Sequence, residues 1–252
     1  MTNLSNLTEI RKGIENGTFI YKRFSQGEQR GFTKGGSRHV EASIIAGRQV
    51  ETRDTQDRRN DRQETDVETY AREIGIWYEN TEEYLTEKYG EPINSGQESL
   101  VYDNGKTVIK TSNTLQYWDL EDALDSITLH NTYFPESAIV VIGFGMDAET
   151  GFQIIKEQPY ITEIDRRATQ EEIDIFIEKL NFVKGLSMTG TGGRYQNNNV
   201  LISDLVPKNV IMSVRGIVAI DPIMHLNTAN FGRGGNRIPE NSIENIKIWE
   251  TK

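Results

Sequence analysis

Residues 202–211 read "ISDLVPKNVI", an Asp with a Pro three residues on and an Asn five residues on, set between apolar β-formers. A little further along, 216–222 reads "GIVAIDP", where a second apolar run stops on Asp221. Taken singly, Asp204 and Asn209 are the residue types that cap turns through side chain–backbone hydrogen bonds. Taken together they are two oxygen-bearing side chains on one loop held by Pro207. The strand pair that follows can return Asp221 to the same point. The stretch therefore has two readings: a pair of turns, or two halves of one metal–phosphate site.

Phosphoryl transfer needs a carboxylate that orients the attacking hydroxyl, oxygen ligands for Mg²⁺ bridging the phosphates, and a cation on the phosphates themselves. "DLVPKNVI" has the pattern of the protein-kinase catalytic loop, with Asp204 at the catalytic carboxylate and Asn209 at the metal-binding amide. "VAID", ending on Asp221, resembles the strand that delivers the kinase metal-binding Asp. Upstream, "TVIK" (107–110) resembles the kinase strand that carries the phosphate-binding Lys, here Lys110. Val108 shares a face with Lys110 by strand alternation, and the resemblance implies that it could roof an adenine. "INSGQESLVY" (93–102) stands where the glycine-rich lid belongs, with Gly96, Ser99 and Val101 at lid positions. Gly96 is the single glycine of that lid, which reduces the close backbone approach that lid glycines allow. The resemblance further implies a helix acid paired with Lys110, either Glu121 or Asp125, and adenine contacts from the hinge residues Glu157, Gln158 and Tyr160.

Composition sets the outer limits. The chain has 252 residues and a formal net charge of −10, which argues against a nucleic-acid or anionic-membrane footprint. It contains no cysteine and three histidines, so thiol chemistry and Cys-ligated zinc are excluded and no His-based ligand spacing occurs. No apolar run approaches the length of a membrane span, and the start, "MTNLSNLTEI", lacks a signal pattern. The expectation is a cytoplasmic protein with no membrane and no nucleic-acid partner. His130 reads as a helix-end packing residue, His225 as a loop histidine, and His39 has no assignable role. Trp77, Trp118 and Trp249 read as packing residues.

Periodicity supplies the elements. A helix is expected over "RQETDVETYAREIGIW" (62–77), and a second over 81–90 with Thr81 as N-cap. "ESLVY" and "KTVIK" flank Asp103-Asn104-Gly105, the strongest hairpin signal in the chain. A helix over 116–131 follows, with most of its acids expected to face solvent. Strands "SAIVVIGFGM" and "GFQIIKEQPYI" come next, with Pro159 read as part of a connector, and then a helix over 169–186 opened by Thr169. Short strands surround the polar loops after residue 199, and the last 30 residues read as mostly irregular. The order implies α+β with mostly antiparallel pairing.

The motifs together with the flank "FIYKRFSQGEQRGFTKGGSRHVEASIIAGR" and the phrases "LHNTYFP" and "QPYI" resemble the kinase domain found in polyvalent proteins, the multi-domain proteins of bacterial mobile elements and phages. That resemblance implies a protein-kinase-like two-lobed fold with a β-rich N-lobe and a reduced C-lobe. Residues 1–60 would be a flanking extension and linker, and 61–252 the domain: N-lobe about 61–157, hinge about 158–161, C-lobe about 162–252. It implies an ATP- and Mg²⁺-dependent phosphotransferase with Lys110, Asp204, Asn209 and Asp221 as its machinery. The chain departs from protein kinases at Ile202 and Ser203, which stand where His and Arg are usual, and at Pro222-Ile223 after Asp221. Only 31 residues follow Asp221, too few for a full peptide-docking platform. A pseudokinase module and a small-molecule kinase of the aminoglycoside type remain open beside the protein kinase.

Overall fold

A computed structural model describes residues 42, 46, 56–95, 99–164, 166–185 and 193–227. Its largest layer is a six-stranded sheet built from β1 (Trp77–Glu79), β2 (Asn94–Ser95), β3 (Leu100–Asp103), β4 (Thr107–Ser112), β5 (Val140–Asp147) and β6 (Gly151–Pro159), in the order β1-β5-β6-β4-β3-β2. Pairing is antiparallel except for β1 with β5. The hairpin expected at Asp103-Asn104-Gly105 forms there. Gly105 adopts φ +79°, which suits glycine, and its N–H bonds the Asp103 carboxylate at 2.7 Å.

Helices cover both faces. On one face α1 (Gln56–Glu73) and α3 (Leu120–Tyr133) bury Val67, Ala71, Leu124 and Ile127 against Val141, Phe144, Phe152 and Ile154. A bulge between Val141 and Gly143 keeps Val141 and Phe144, three apart, on that one side. On the other face α2 (Thr81–Tyr89) packs Leu85 onto Tyr102, Ile109 and Ile155. Asn80 rather than Thr81 occupies the N-cap of α2, at φ 50°, and Thr81 is buried as the first helical residue.

Helix α3 departs from expectation in an informative way. Its N-cap is Asp119, whose side chain accepts from the Asp122 N–H at 2.8 Å, so the helix begins four residues later than the pattern suggested. Every residue from Leu120 to Asn131 is buried, the acids Glu121, Asp122 and Asp125 included. The reason is β12 (Ile223–Leu226), a strand inside the segment expected to be irregular. It lies along α3, and its Met224 N–H bonds Ser126 Oγ at 3.1 Å. With α1 and the large sheet covering its other sides, no face of α3 is left to solvent.

The second part of the described chain holds α4 (Gln170–Glu178), a hairpin of β10 (Val210–Ser213) with β11 (Gly216–Ala219), and a four-stranded sheet. That sheet joins β7 (Val183–Lys184), β8 (Tyr195–Gln196), β9 (Val200–Ser203) and β12 in the order β12-β9-β8-β7. Thr169 opens α4 with a full capping box to Glu172, as its sequence implies. The helix is shorter than its apolar stripe, because Asn181 takes φ 63° and turns the chain into β7. Ile173 and Ile177 of α4 join Val200, Ile202, Leu205, Val210 and Met224 in a common core. The expected mixed α+β class with mainly antiparallel pairing is therefore what the chain forms.

Candidate functional site

The loop 204–209 is fixed from several directions. Asp204 sits in the left-handed region at φ 54°, uncommon for a residue with a Cβ. Pro207–Asn209 form one turn of 3-10 helix, and Asn209 Nδ2 reaches back to Asp204, donating to its carbonyl and its carboxylate at 2.8 Å each. Gly193, at φ 90°, lies against the loop so closely that a Cβ there would stand 2.9 Å from the Leu205 carbonyl oxygen. Its own carbonyl accepts the Leu205 N–H at 3.0 Å. The Asn209 carbonyl accepts from Ile220 N–H at 2.9 Å, which ties the loop to the residue preceding Asp221. The two turns of the opening stretch are thus one construction.

Lys110 on β4 faces Asp221. Its side chain is 11% exposed and its Nζ lies 3.7 Å from Asp221 Oδ1 and 3.5 Å from the Ile220 carbonyl. Lys110, Asp204, Asn209 and Asp221 line one cavity of about 240 Å³, together with Ser99, Thr111, Ser112, Asn113, Gln116, Tyr117, Lys156, Lys208, Pro222 and Ile223. Burial pushes the Asp221 carboxyl up, but Lys110 and Lys156, with His130 behind them, outweigh it and hold the group below its ordinary value. Lys208 pairs with Asp204 at 3.1 Å.

Of the other expected residues only Ser99 lines this cavity; Val101, Val108, Glu121, Asp125, Glu157, Gln158 and Tyr160 are not part of its lining. Val101 pairs directly with Lys110 across β3–β4, and Val108 lies two residues from Lys110 on the same face. Both are half-buried. Glu121 and Asp125 are buried on α3, while the carboxylate against Lys110 is that of Asp221. Glu157 accepts a hydrogen bond from Thr107 Oγ1 at 2.8 Å. Pro159 ends strand β6 instead of lying in a connector, and the Tyr160 N–H is taken by the Lys106 carbonyl at 3.0 Å. Gly96, His39 and Trp249 lie outside the described residues.

Gln158 turns inward. Its amide donates to the carbonyls of Ser137 at 2.8 Å and Ile220 at 3.0 Å, beside His130, whose Nε2–H bonds the Ser137 carbonyl at 3.0 Å. Ser137 in turn donates from Oγ to the Ala219 carbonyl. This buried network joins β6, α3 and the backbone that ends on Asp221. Burial drives the His130 ring down to about 4 despite its bond to Ser137, and its Nδ1 has no hydrogen-bond partner among the described residues. His130 is therefore a neutral structural residue, as its helix-end position suggested.

Two features escape a reading of the sequence. Lys156 on β6 stands directly across from Lys110 in the β4–β6 register. Burial lowers its ammonium to about 8 against the attraction of Asp221, so it is still mainly a cation at neutral pH. His225 belongs to strand β12 instead of a loop, with Nδ1 2.8 Å from Asp122 Oδ2 and Trp118 stacked on it at 6.0 Å. Strand alternation could have placed Lys156 on the Lys110 side, but the register that aligns them is tertiary.

The donor set suits Mg²⁺. Asn209 has its Nδ2 committed to Asp204, which leaves Oδ1 for a cation, and Asp221 supplies an anionic oxygen on the same cavity. Two protein oxygens completed by phosphate and water are what Mg²⁺ usually takes. Among the described residues there is no cluster of three or more His, Asp or Glu that could hold a metal without such help.

The sequence profile of the serine/threonine/tyrosine kinases found in polyvalent proteins matches residues 60–228. The chain belongs to this family. No curated protein and no solved structure matches it. In this polyvalent-protein kinase domain Lys110, Asp204, Asn209 and Asp221 line one cavity. Among the described residues no helix is long and apolar enough to cross a membrane.

Proposed function

We propose that this kinase-family domain is an ATP- and Mg²⁺-dependent phosphotransferase of a mobile-element polyvalent protein, acting on an acceptor hydroxyl. The observation that carries the reading is the shared cavity of Lys110, Asp204, Asn209 and Asp221. In this reading the large sheet with α1–α3 is the N-lobe and the part from about residue 162 is a reduced C-lobe, with the cleft between them. Asn209 Oδ1 and Asp221 would hold Mg²⁺, which when bound neutralises charge on the phosphates. Lys110 would transfer its contact from Asp221 to the phosphates as the metal takes the carboxylate. Asp204, held by Asn209, would orient the acceptor hydroxyl and accept its proton. Val101 and Val108 would cover the adenine.

A second reading, a nucleotide-binding module without turnover, is favoured by the Lys110–Asp221 contact, which engages the proposed metal-binding carboxylate. One experiment covers both. Mg-ATP is expected to raise the melting temperature of the wild-type protein, with the shift abolished in D221A and reduced in K110A. Phosphate transfer to added hydroxylated acceptors or to the protein itself, read by mass spectrometry and lost in D204A, supports the enzyme. A shift without turnover supports the module, and no shift at millimolar ATP excludes both.

A further inference from the structure

On β6 the side chains that face α3 and the cavity are, in order, Phe152, Ile154, Lys156 and Gln158. The first two belong to the apolar core, and the Gln158 amide is spent on the Ser137 and Ile220 carbonyls. Lys156, between them, lines the cavity and makes no hydrogen bond or ion pair among the described residues. The other charges there are matched: Lys208 with Asp204 at 3.1 Å, and Lys110 with Asp221 at 3.7 Å. One positive charge is left over, directly across the ladder from another. Like charges at opposed positions in a sheet are unfavourable unless an anion lies between or above them. Three lysines thus line the cavity against two carboxylates, with Asp221 attracting both Lys110 and Lys156.

We propose that Lys156 is a second phosphate-binding cation of the cleft, holding the polyphosphate of the nucleotide from β6 while Lys110 holds it from β4. The inference rests on the nucleotide reading above. It also supplies what the lid lacks, since a lid with the single glycine Gly96 has less freedom to bring backbone N–H groups onto phosphate. When a divalent cation takes Asp221, the local positive charge rises further, and a triphosphate is the ligand that offsets it.

Titration calorimetry on the full chain tests this with three probes: Mg-ATP, Mg-free tripolyphosphate and adenosine. K156M is expected to weaken Mg-ATP and tripolyphosphate about tenfold or more, the scale of one charge-assisted hydrogen bond, with adenosine unchanged and K156R restoring most of the loss. Unchanged tripolyphosphate binding by K156M overturns the proposal, because any effect on Mg-ATP would then run through Asp221. Equal losses for adenosine overturn it too, as a structural effect. Wild-type protein that binds none of the probes overturns the nucleotide reading itself, whereas normal wild-type binding with an indifferent K156M sinks this inference alone. A readout without mutation stands beside it: tripolyphosphate, and not adenosine, protects Lys156 from amine-reactive acylation followed by mass spectrometry, and an unprotected Lys156 counts against the proposal.

Discussion

Asn209 Nδ2 donates to both the backbone carbonyl and the carboxylate of Asp204, at 2.8 Å each, and so holds a residue whose backbone lies at φ 54°. One side chain thus fixes the position of the proposed proton acceptor while itself lining the cavity. In the proposed reading, positioning and metal binding are joined in a single amide.

That double use sets the first prediction. N209A removes two hydrogen bonds to a part-buried Asp and the proposed oxygen ligand. The melting transition is expected to correspond to a loss of about 1–3 kcal/mol, and Mg-ATP stabilisation should fall with it. N209D keeps an oxygen but sets a second carboxylate against Asp204. It should retain part of the Mg²⁺ effect while lowering ligand-free stability, as denaturant unfolding with and without Mg²⁺ would report.

Asp204 should behave in the opposite way. Its ion pair with Lys208 is largely exposed, 69% and 37%, and such pairs contribute under about 1 kcal/mol. D204N preserves an oxygen for Asn209, so folding and Mg-ATP affinity are expected near wild type. Phosphate transfer should drop on the order of 10²–10⁴-fold, the scale of a lost general base. Binding lost together with turnover would show that Asp204 acts in the ground state instead.

The parts of the site that local chemistry dictates were legible in the sequence. Pro207 and the polar residues around it make a turn whatever surrounds them, and Asn104-Gly105 makes the hairpin that places Lys110. The misreadings came from long-range packing. Glu121, Asp122 and Asp125 look solvent-facing in a short window, but all three are buried: β12, about one hundred residues away, meets Asp122 through His225, and α1 meets Glu121 through Gln63. β12 itself is only Ile-Met-His-Leu, too short to show a period, and it exists because β9 offers an edge and α3 a face. The Lys110–Lys156 opposition is likewise a matter of register between strands far apart in sequence.

His130 gives the protein an acid sensitivity with a defined window. Its folded value is about 4 against an ordinary 6.5, because burial opposes the charged ring. Above pH 6.5 it is neutral in both states and its contribution is complete. As pH falls from 6.5 towards 4 the unfolded chain takes up the proton first, so stability declines, by on the order of 3 kcal/mol across the window. The carboxyls held below their ordinary values, Asp221, Asp174 and Glu172, act lower on the scale. Denaturant unfolding at pH 7.5 and 5.2 should therefore show the wild type losing stability and H130Q losing much less between those two points.

Gly193 tests whether the loop's geometry matters separately from its chemistry. At φ 90° any side chain is strained, and a Cβ would stand 2.9 Å from the Leu205 carbonyl and 2.7 Å from Val206 Cγ1. G193A must push residues 205–206 away, and Asp204 moves with them because Leu205 N–H is bonded to the Gly193 carbonyl. The folding cost is expected to be about 1–3 kcal/mol. A displacement of Asp204 by a fraction of an ångström should cost turnover more than it costs Mg-ATP binding, since orientation of the acceptor hydroxyl is the more demanding requirement. Parallel measurements of unfolding, Mg-ATP affinity and phosphate transfer on G193A separate the two effects. Turnover that falls only in proportion to the folded fraction would show that the loop tolerates the shift.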